Sequence, residues 1–156
     1  MRVISGRLGG RRLSAPRGRT TRPTSDRVRE ALFSMLGAID GASVLDLFAG
    51  TGALGIEALS RGAARALFVE RDTAAVAALR GNLAQLGLAE PQARVRVGDA
   101  LEALRAARGA GETYDLVFVD PPYSQARELE RGLSALLPAL LAPDARVVIE
   151  SDRRAP

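Results

Sequence analysis

From residue 44 onward, short apolar runs alternate with longer stretches of helical spacing. The runs stand at 44–48 (VLDLF), 66–70 (ALFVE), 95–99 (VRVGD), 116–120 (LVFVD) and 146–150 (RVVIE). Between them, helical patterns cover 53–61, 73–86, 100–108 and 124–141. The second carries Val76, Leu79, Leu83 and Leu86; the fourth carries Leu129, Leu133, Leu136, Leu137 and Leu140, with a kink expected at Pro138. Gly62, Gly87 and Gly109 close the first three. Strands buried on both faces lose the apolar–polar alternation, so this pattern predicts a parallel sheet with helices on both faces. Upstream, Val28, Ala31, Leu32, Met35 and Leu36 predict one more helix, capped by Thr24 or Ser25 and ended by Gly37.

Residues 1–23 differ in kind. They are rich in Gly and Arg, with brief apolar beats at Val3, Ile4, Leu8 and Leu13. We read them as a basic arm, either a hairpin lying on the body or a mobile segment. Residues 24–156 then form one α/β domain, a size one core can hold together.

Charge sharpens that division. Residues 1–29 hold nine arginines against Asp26 alone, about +8, and the rest of the chain is about −4. A basic arm on a mildly acidic body is the footprint of a polyanion partner. Arg2, Arg7, Arg11, Arg12, Arg17, Arg19 and Arg22 are the candidate polyanion contacts, the RNA-binding set if the partner is RNA. The chain has no cysteine and no histidine, which removes thiolate metal sites, disulfides and the usual general base. No metal site is expected. No apolar run is long enough for a bilayer span and the first residues have no signal-peptide core, so a cytoplasmic protein is expected. Nothing in the sequence demands more than a monomer.

Residues 50–55 read Gly-Thr-Gly-Ala-Leu-Gly after a strand and before a helix, and Glu70 ends the next strand. Glycines permit a tight turn and close backbone approach to a ligand, and an acid at that place can hold ribose hydroxyls. Two cofactors fit this outline. Asp46, four residues before Gly50, separates them: a carboxylate repels a pyrophosphate and attracts a sulfonium and an ammonium. That favours S-adenosylmethionine over NAD, although Asp46 could instead be a buried structural acid bonded to loop N–H groups. Asp99 could accept from an adenine amino group, cap the helix at 100–108, or do both.

The fourth run leads into Asp120-Pro121-Pro122-Tyr123. Two prolines stop the strand and stiffen the loop. A rigid carboxylate, carbonyl and ring suit an exocyclic base amine, whose lone pair is delocalised. Acceptors at Asp120 and the Pro121 carbonyl would orient both N–H groups. The carboxylate would stabilise positive charge growing on nitrogen, and Tyr123 would stack on the flipped base.

At VLDLFAGTGALGIEALSRGA (44–63), FVERD (68–72), GDA (98–100) and FVDPPY (118–123) the chain resembles the RsmD family, bacterial methyltransferases acting on a guanine N2 amine of small-subunit (16S) ribosomal RNA. RVISGRLGGRRL (2–13) and RPTSDRVREALFSML (22–36) extend the likeness nearly end to end. The resemblance implies a class I S-adenosylmethionine-dependent methyltransferase fold of Rossmann-like type. It implies cofactor contacts from Asp46, Phe48, Gly50, Gly52, Glu70, Arg71, Asp99 and Ala100, with Thr24 and Arg29 folding over the cofactor's amino-acid end. It places the base at Asp120 to Tyr123, and 16S rRNA, within the small subunit or an assembly intermediate, under the arginine arm. Such folds usually end with an antiparallel strand pair after the run at 146–150; that pair is missing here, leaving the domain short at its carboxyl end. The competing readings are a DNA adenine or cytosine amino-methyltransferase, a protein-glutamine methyltransferase (disfavoured by Asp120 where Asn is usual), an NAD-linked oxidoreductase and a non-catalytic RNA-binding module.

Overall fold

A computed structural model describes residues 1–16, 25–121 and 126–149. Five strands form one sheet: β1 (Ser43–Leu47), β2 (Arg65–Glu70), β3 (Ala93–Val97), β4 (Tyr114–Val119) and β5 (Leu141–Ile149). Their order is β3-β2-β1-β4-β5, and every pairing is parallel. The helices are α1 (Asp26–Leu36), α2 (Ala53–Ser60), α3 (Thr73–Gln85), α4 (Ala100–Gly109) and α5 (Ala126–Leu136). The expected fold class holds.

The sheet alternates faces residue by residue, as a pleat requires. Val44, Ala66, Phe68, Leu116 and Phe118 point to one face, where α1, α2, α3 and the amino-terminal residues cover them. Leu45, Leu47, Leu67, Val69, Val117 and Val119 point to the other, against α4 and the end of α5. Across β1, β2 and β4 both faces are therefore largely dry, which is why those strands read as mostly apolar runs. On the first face the Phe33 and Phe118 rings lie 5.8 Å apart, seating α1 on β4.

The arm is a hairpin laid on the body. Arg2 pairs with Arg12 in an antiparallel bridge, and Val3, Leu8 and Leu13 are buried in the first core cluster. Gly6 shows why a glycine stands at the contact: a Cβ there would lie 1.9 Å from the Ser60 carbonyl oxygen. The Ser60 carbonyl accepts from the Arg7 N–H at 2.9 Å, which satisfies one of the orphan acceptors at the carboxyl end of α2. Residues 17–23 of the predicted arm lie outside the described residues.

Two boundaries differ from expectation by several residues. The fourth long helical pattern ends early, at Leu136, and Pro138 sits in a 3-10 turn over Leu137–Leu140. β5 begins at Leu141 rather than 146, because its register shifts against β4: Tyr114 pairs with Leu141 but Leu116 with Arg146. Asp144 (φ 62°) takes the left-handed conformation inside that bulge.

Candidate active site

The order β3-β2-β1-β4-β5 reverses direction between β1 and β4, and ligands in open parallel sheets bind beyond the carboxyl ends of strands at that reversal. The glycine turn follows β1 and Asp120 follows β4. The two strands pair directly, with Leu47 opposite Val119. The loop and the carboxylate therefore share one rim, a strand spacing of roughly 5 Å apart in the sheet direction.

The turn leaves β1 through Phe48, which holds a left-handed φ of 58°. A bulky residue with positive φ is strained, and such strain gathers at sites. The three glycines answer to different demands. A Cβ on Gly50 (φ 58°) would meet nothing within 4 Å, so that position faces open space. One on Gly52 (φ 87°) would come 2.4 Å from Leu79, and one on Gly55 would come 2.4 Å from Phe68. Gly55 is thus a packing glycine that lets α2 approach β2.

The acids knit this rim together. Asp46 is buried and accepts the Gly55 N–H at 3.0 Å. The half-buried Glu70 accepts three backbone N–H groups, from Gly50 (2.8 Å), Arg71 (3.0 Å) and Asp72 (2.9 Å). It therefore locks the glycine turn to the end of β2. The Arg71 side chain is exposed. Asp99 caps α4, accepting from the Glu102 N–H at 3.2 Å, and Ala100 is buried beneath that first turn. The structural roles considered for Asp46 and Asp99 are both realised.

Burial, with added repulsion from Asp120 and Glu70, raises the Asp46 carboxyl to about pKa 7, against a partial offset from the Gly55 N–H. Between about pH 4 and pH 7 the unfolded chain releases a proton that the folded chain keeps. This contribution therefore favours folding most at low pH and is lost as pH rises towards 7. Asp46→Asn retains an acceptor for Gly55 and removes the penalty. The variant's stability relative to the parent should rise by roughly 2–3 kcal/mol between pH 5 and pH 8 in urea unfolding. A difference flat with pH would refute the raised pKa.

Asp120 is exposed, and Pro121 is half-buried. Asp120 stands at the edge of a cavity of about 130 Å3 whose other lining residues are all apolar: Val28, Leu32, Leu54, Val119, Val148 and Ile149. These come from α1, the start of α2, β4 and β5, so the cavity exists only in the assembled fold. Val28 and Ile149 are large apolar side chains left exposed, at 48% and 63%. A larger cavity of about 280 Å3 opens beside Arg65, Arg94, Glu112 and Tyr114, at the amino-terminal strand ends. Its polar groups satisfy each other: Glu112 accepts from Tyr114 (2.6 Å) and Arg94 (3.2 Å). The smaller cavity, on the switch-point rim, is the one with chemistry to offer.

Arg29 requires a correction. The resemblance assigns it to the cofactor, but the structure buries it completely. Its guanidinium donates to Glu57 (3.3 Å), to Asp26 and to the Arg2 carbonyl (2.6 Å). Enclosed in this way, it ties α1 to α2 and the hairpin. Thr24, Pro122 and Tyr123 lie outside the described residues, as do Arg17, Arg19 and Arg22. Arg2, Arg7, Arg11 and Arg12 are exposed on the hairpin, and Arg11 also donates to the Gln85 carbonyl at 2.9 Å.

Two residues the sequence reading passed over prove central. Glu57, fully buried in α2, accepts from the Ile4 and Ser5 N–H groups, Arg29 and Arg61. Asn82, buried in α3, bonds both the hairpin and the glycine turn. Each leaves a signal: a lone charge in the apolar helix ALGIEALS, and a lone amide on the Leu79–Leu83 face.

A sheet of this order with a glycine turn and an acidic strand tip on one rim defines the Rossmann-like fold of the class I methyltransferases. Within that class the chain belongs to the family described as conserved hypothetical protein 95, whose model matches residues 1–156. It is similar to YlbH of Bacillus subtilis, provisionally named an rRNA methyltransferase (45% identity, covering 98% of this chain and 83% of that one). It is also similar to ribosomal RNA small subunit methyltransferase D of Escherichia coli (42% identity, covering 97% and 75%). Among solved structures it superposes on YhhF of Escherichia coli, provisionally named a methyltransferase, with a TM-score of 0.83 at 42% identity, covering 100% of this chain and 84% of that one.

Proposed function

We propose that this protein transfers a methyl group from S-adenosylmethionine to the exocyclic N2 amine of a guanine in small-subunit ribosomal RNA. The observation that carries this reading is the meeting of the glycine turn and Asp120 on adjacent strand tips, beside an apolar cavity. The ribosomal substrate follows the named relatives, which are rRNA methyltransferases. The guanine amine follows the family resemblance at Asp120-Pro121-Pro122-Tyr123.

The donor set fits the cofactor. Beyond the effect of burial, Asp120 and Glu70 lie close enough to Asp46 for their charges to raise its pKa, and a pyrophosphate would add negative charge to the same rim. Gly50 faces open space where a ligand can approach backbone. When bound, S-adenosylmethionine supplies an electrophilic methyl on a cationic sulfur. Asp46 and Glu70 would favour its positive charge and its ribose hydroxyls.

On the base side, Asp120 and the Pro121 carbonyl accept the two N–H groups of the amine and fix its lone pair towards the methyl. As the new C–N bond forms and the methyl–sulfur bond breaks, leaving a neutral thioether, positive charge would appear on nitrogen and the Asp120 carboxylate would stabilise it. The amine's surplus proton then leaves to solvent along the exposed Asp120 edge. The apolar wall of Val28, Leu32, Leu54 and Val148 excludes water from the reacting atoms. The exposed arginines of the hairpin neutralise phosphates and hold the RNA in register.

The test is nucleotide mapping. Small ribosomal subunits from a strain lacking this gene are incubated with the protein and labelled cofactor, and the methylated position is located by mass. Label on one guanine N2 is expected. Label on adenine N6 or cytosine N4, or transfer to naked DNA alone, would overturn the assignment.

A further inference from the structure

Asn82 is 1% exposed and lies at the centre of three hydrogen bonds. Its Oδ1 accepts the Ser14 N–H at 2.8 Å. Its Nδ2 donates to the Ser14 carbonyl at 3.0 Å and to the Thr51 carbonyl at 3.0 Å. Ser14 follows directly on the buried Leu13 of the hairpin. Thr51 stands between Gly50 and Gly52, inside the glycine turn. One buried amide therefore holds the arm with one hand and the turn with the other.

Alternatives for that place fail on hydrogen bonding. A leucine would leave the Thr51 carbonyl and both Ser14 backbone groups without their partners, and an aspartate would set an acceptor against two carbonyls. The turn itself has little slack. Gly50 is held by Glu70 from β2, and Gly52 is pressed on Leu79, three residues before Asn82 on α3. Through Asn82, displacement at Thr51 reaches both α3 and the hairpin.

We propose that Asn82 is a positioning residue that makes the amino-terminal hairpin part of the cofactor site, so that ligand binding on the glycine turn is transmitted to the arm at Ser14. The proposal rests on the cofactor assignment above. Ordering the turn strengthens the Asn82–Thr51 bond, which fixes the amide plane and with it both bonds to Ser14.

The test uses backbone hydrogen exchange on the whole chain, with S-adenosylhomocysteine as the probe. In the parent, saturating probe should slow exchange of the Ser14 amide by about threefold or more. The Gly10 amide, which is bonded only within the hairpin to the Val3 carbonyl, should slow less and serves as the internal reference. In Asn82→Asp the probe should bind about tenfold more weakly, and the preferential response at Ser14 should vanish. Equal slowing at Ser14 and Gly10 in the parent would reveal general stabilisation and overturn the proposal, with or without a folded variant. An absence of probe binding to the parent would instead sink the cofactor assignment, and the proposal with it.

Discussion

Replacing Asp120 with alanine should lower methyl-transfer turnover by about a hundred- to thousand-fold while S-adenosylhomocysteine affinity stays within about threefold of the parent. The size follows from the role. A carboxylate facing nitrogen stabilises charge that exists only in the transition state, so its removal falls on the chemical step. The fold should survive, because Asp120 is exposed at a strand tip. Cofactor affinity should hardly fall, since the glycine turn is fastened by Glu70 and Asn82 rather than by Asp120. Single-turnover assays at saturating RNA, paired with calorimetric titration, separate the two quantities. Turnover within a factor of three of the parent would remove Asp120 from the chemistry. A matching loss of cofactor affinity would move it to the cofactor side of the rim.

The largest stability effect is expected at Glu57. Its carboxylate receives four donors: the Ile4 N–H at 2.7 Å, the Ser5 N–H at 3.1 Å, Arg61 at 2.8 Å and Arg29 at 3.3 Å. Glu57 and Arg29 are both fully buried. Glu57→Ala strands the Arg29 charge with Asp26 as its remaining acid partner and leaves two backbone donors unmet. Losses of this kind run to about 3–5 kcal/mol, a large share of what a domain this size possesses. Arg61 would also lose the anchor that holds its guanidinium 4.9 Å from the centre of the Phe33 ring. Urea unfolding should show the loss as a lower midpoint. The pair Glu57→Leu with Arg29→Met should recover part of it, because an apolar pair leaves no orphan charge. A loss below about 1 kcal/mol for Glu57→Ala would mean that the buried pair is not the clamp its geometry suggests.

The architecture was largely legible before any coordinates, for a physical reason. Parallel strands buried on both faces must be apolar throughout, so VLDLF, ALFVE and LVFVD announce themselves, and Gly62 and Gly87 mark where helices stop. β5 was half-seen because its first residues, LAPDA, pass through a bulge whose Pro143 and Asp144 read as loop. The chemistry at the strand tips was legible as residue types and only in part as bonds. The Asp99 cap and the Asp46 bond to a loop N–H could be read as options, whereas the engagement of Glu70 by three backbone N–H groups depends on loop conformation. Arg29 misled for a different reason. A family pattern marks it as special without saying for what, and besides the nearby Asp26 the bonds that enclose it come from Arg2 and Glu57, each more than twenty positions away. Asn82 and Ser14 are separated by 68 positions, and no local periodicity reports such a partnership.

The cavity beside Asp120 takes its walls from elements far apart in the chain. Val28 and Leu32 come from α1, while Val148 and Ile149 come from the last strand, and Arg146 donates to the Leu36 carbonyl at 2.6 Å across 110 positions. During synthesis the hairpin, the glycine turn and Glu70 can assemble once α3 has left the ribosome. The cavity beside Asp120 cannot close until β5 has emerged as well. A nascent chain halted after β4 would therefore carry the glycine turn with its Glu70 and Asn82 fastenings but an open wall beside Asp120, so under the proposed function methyl transfer has to wait for β5.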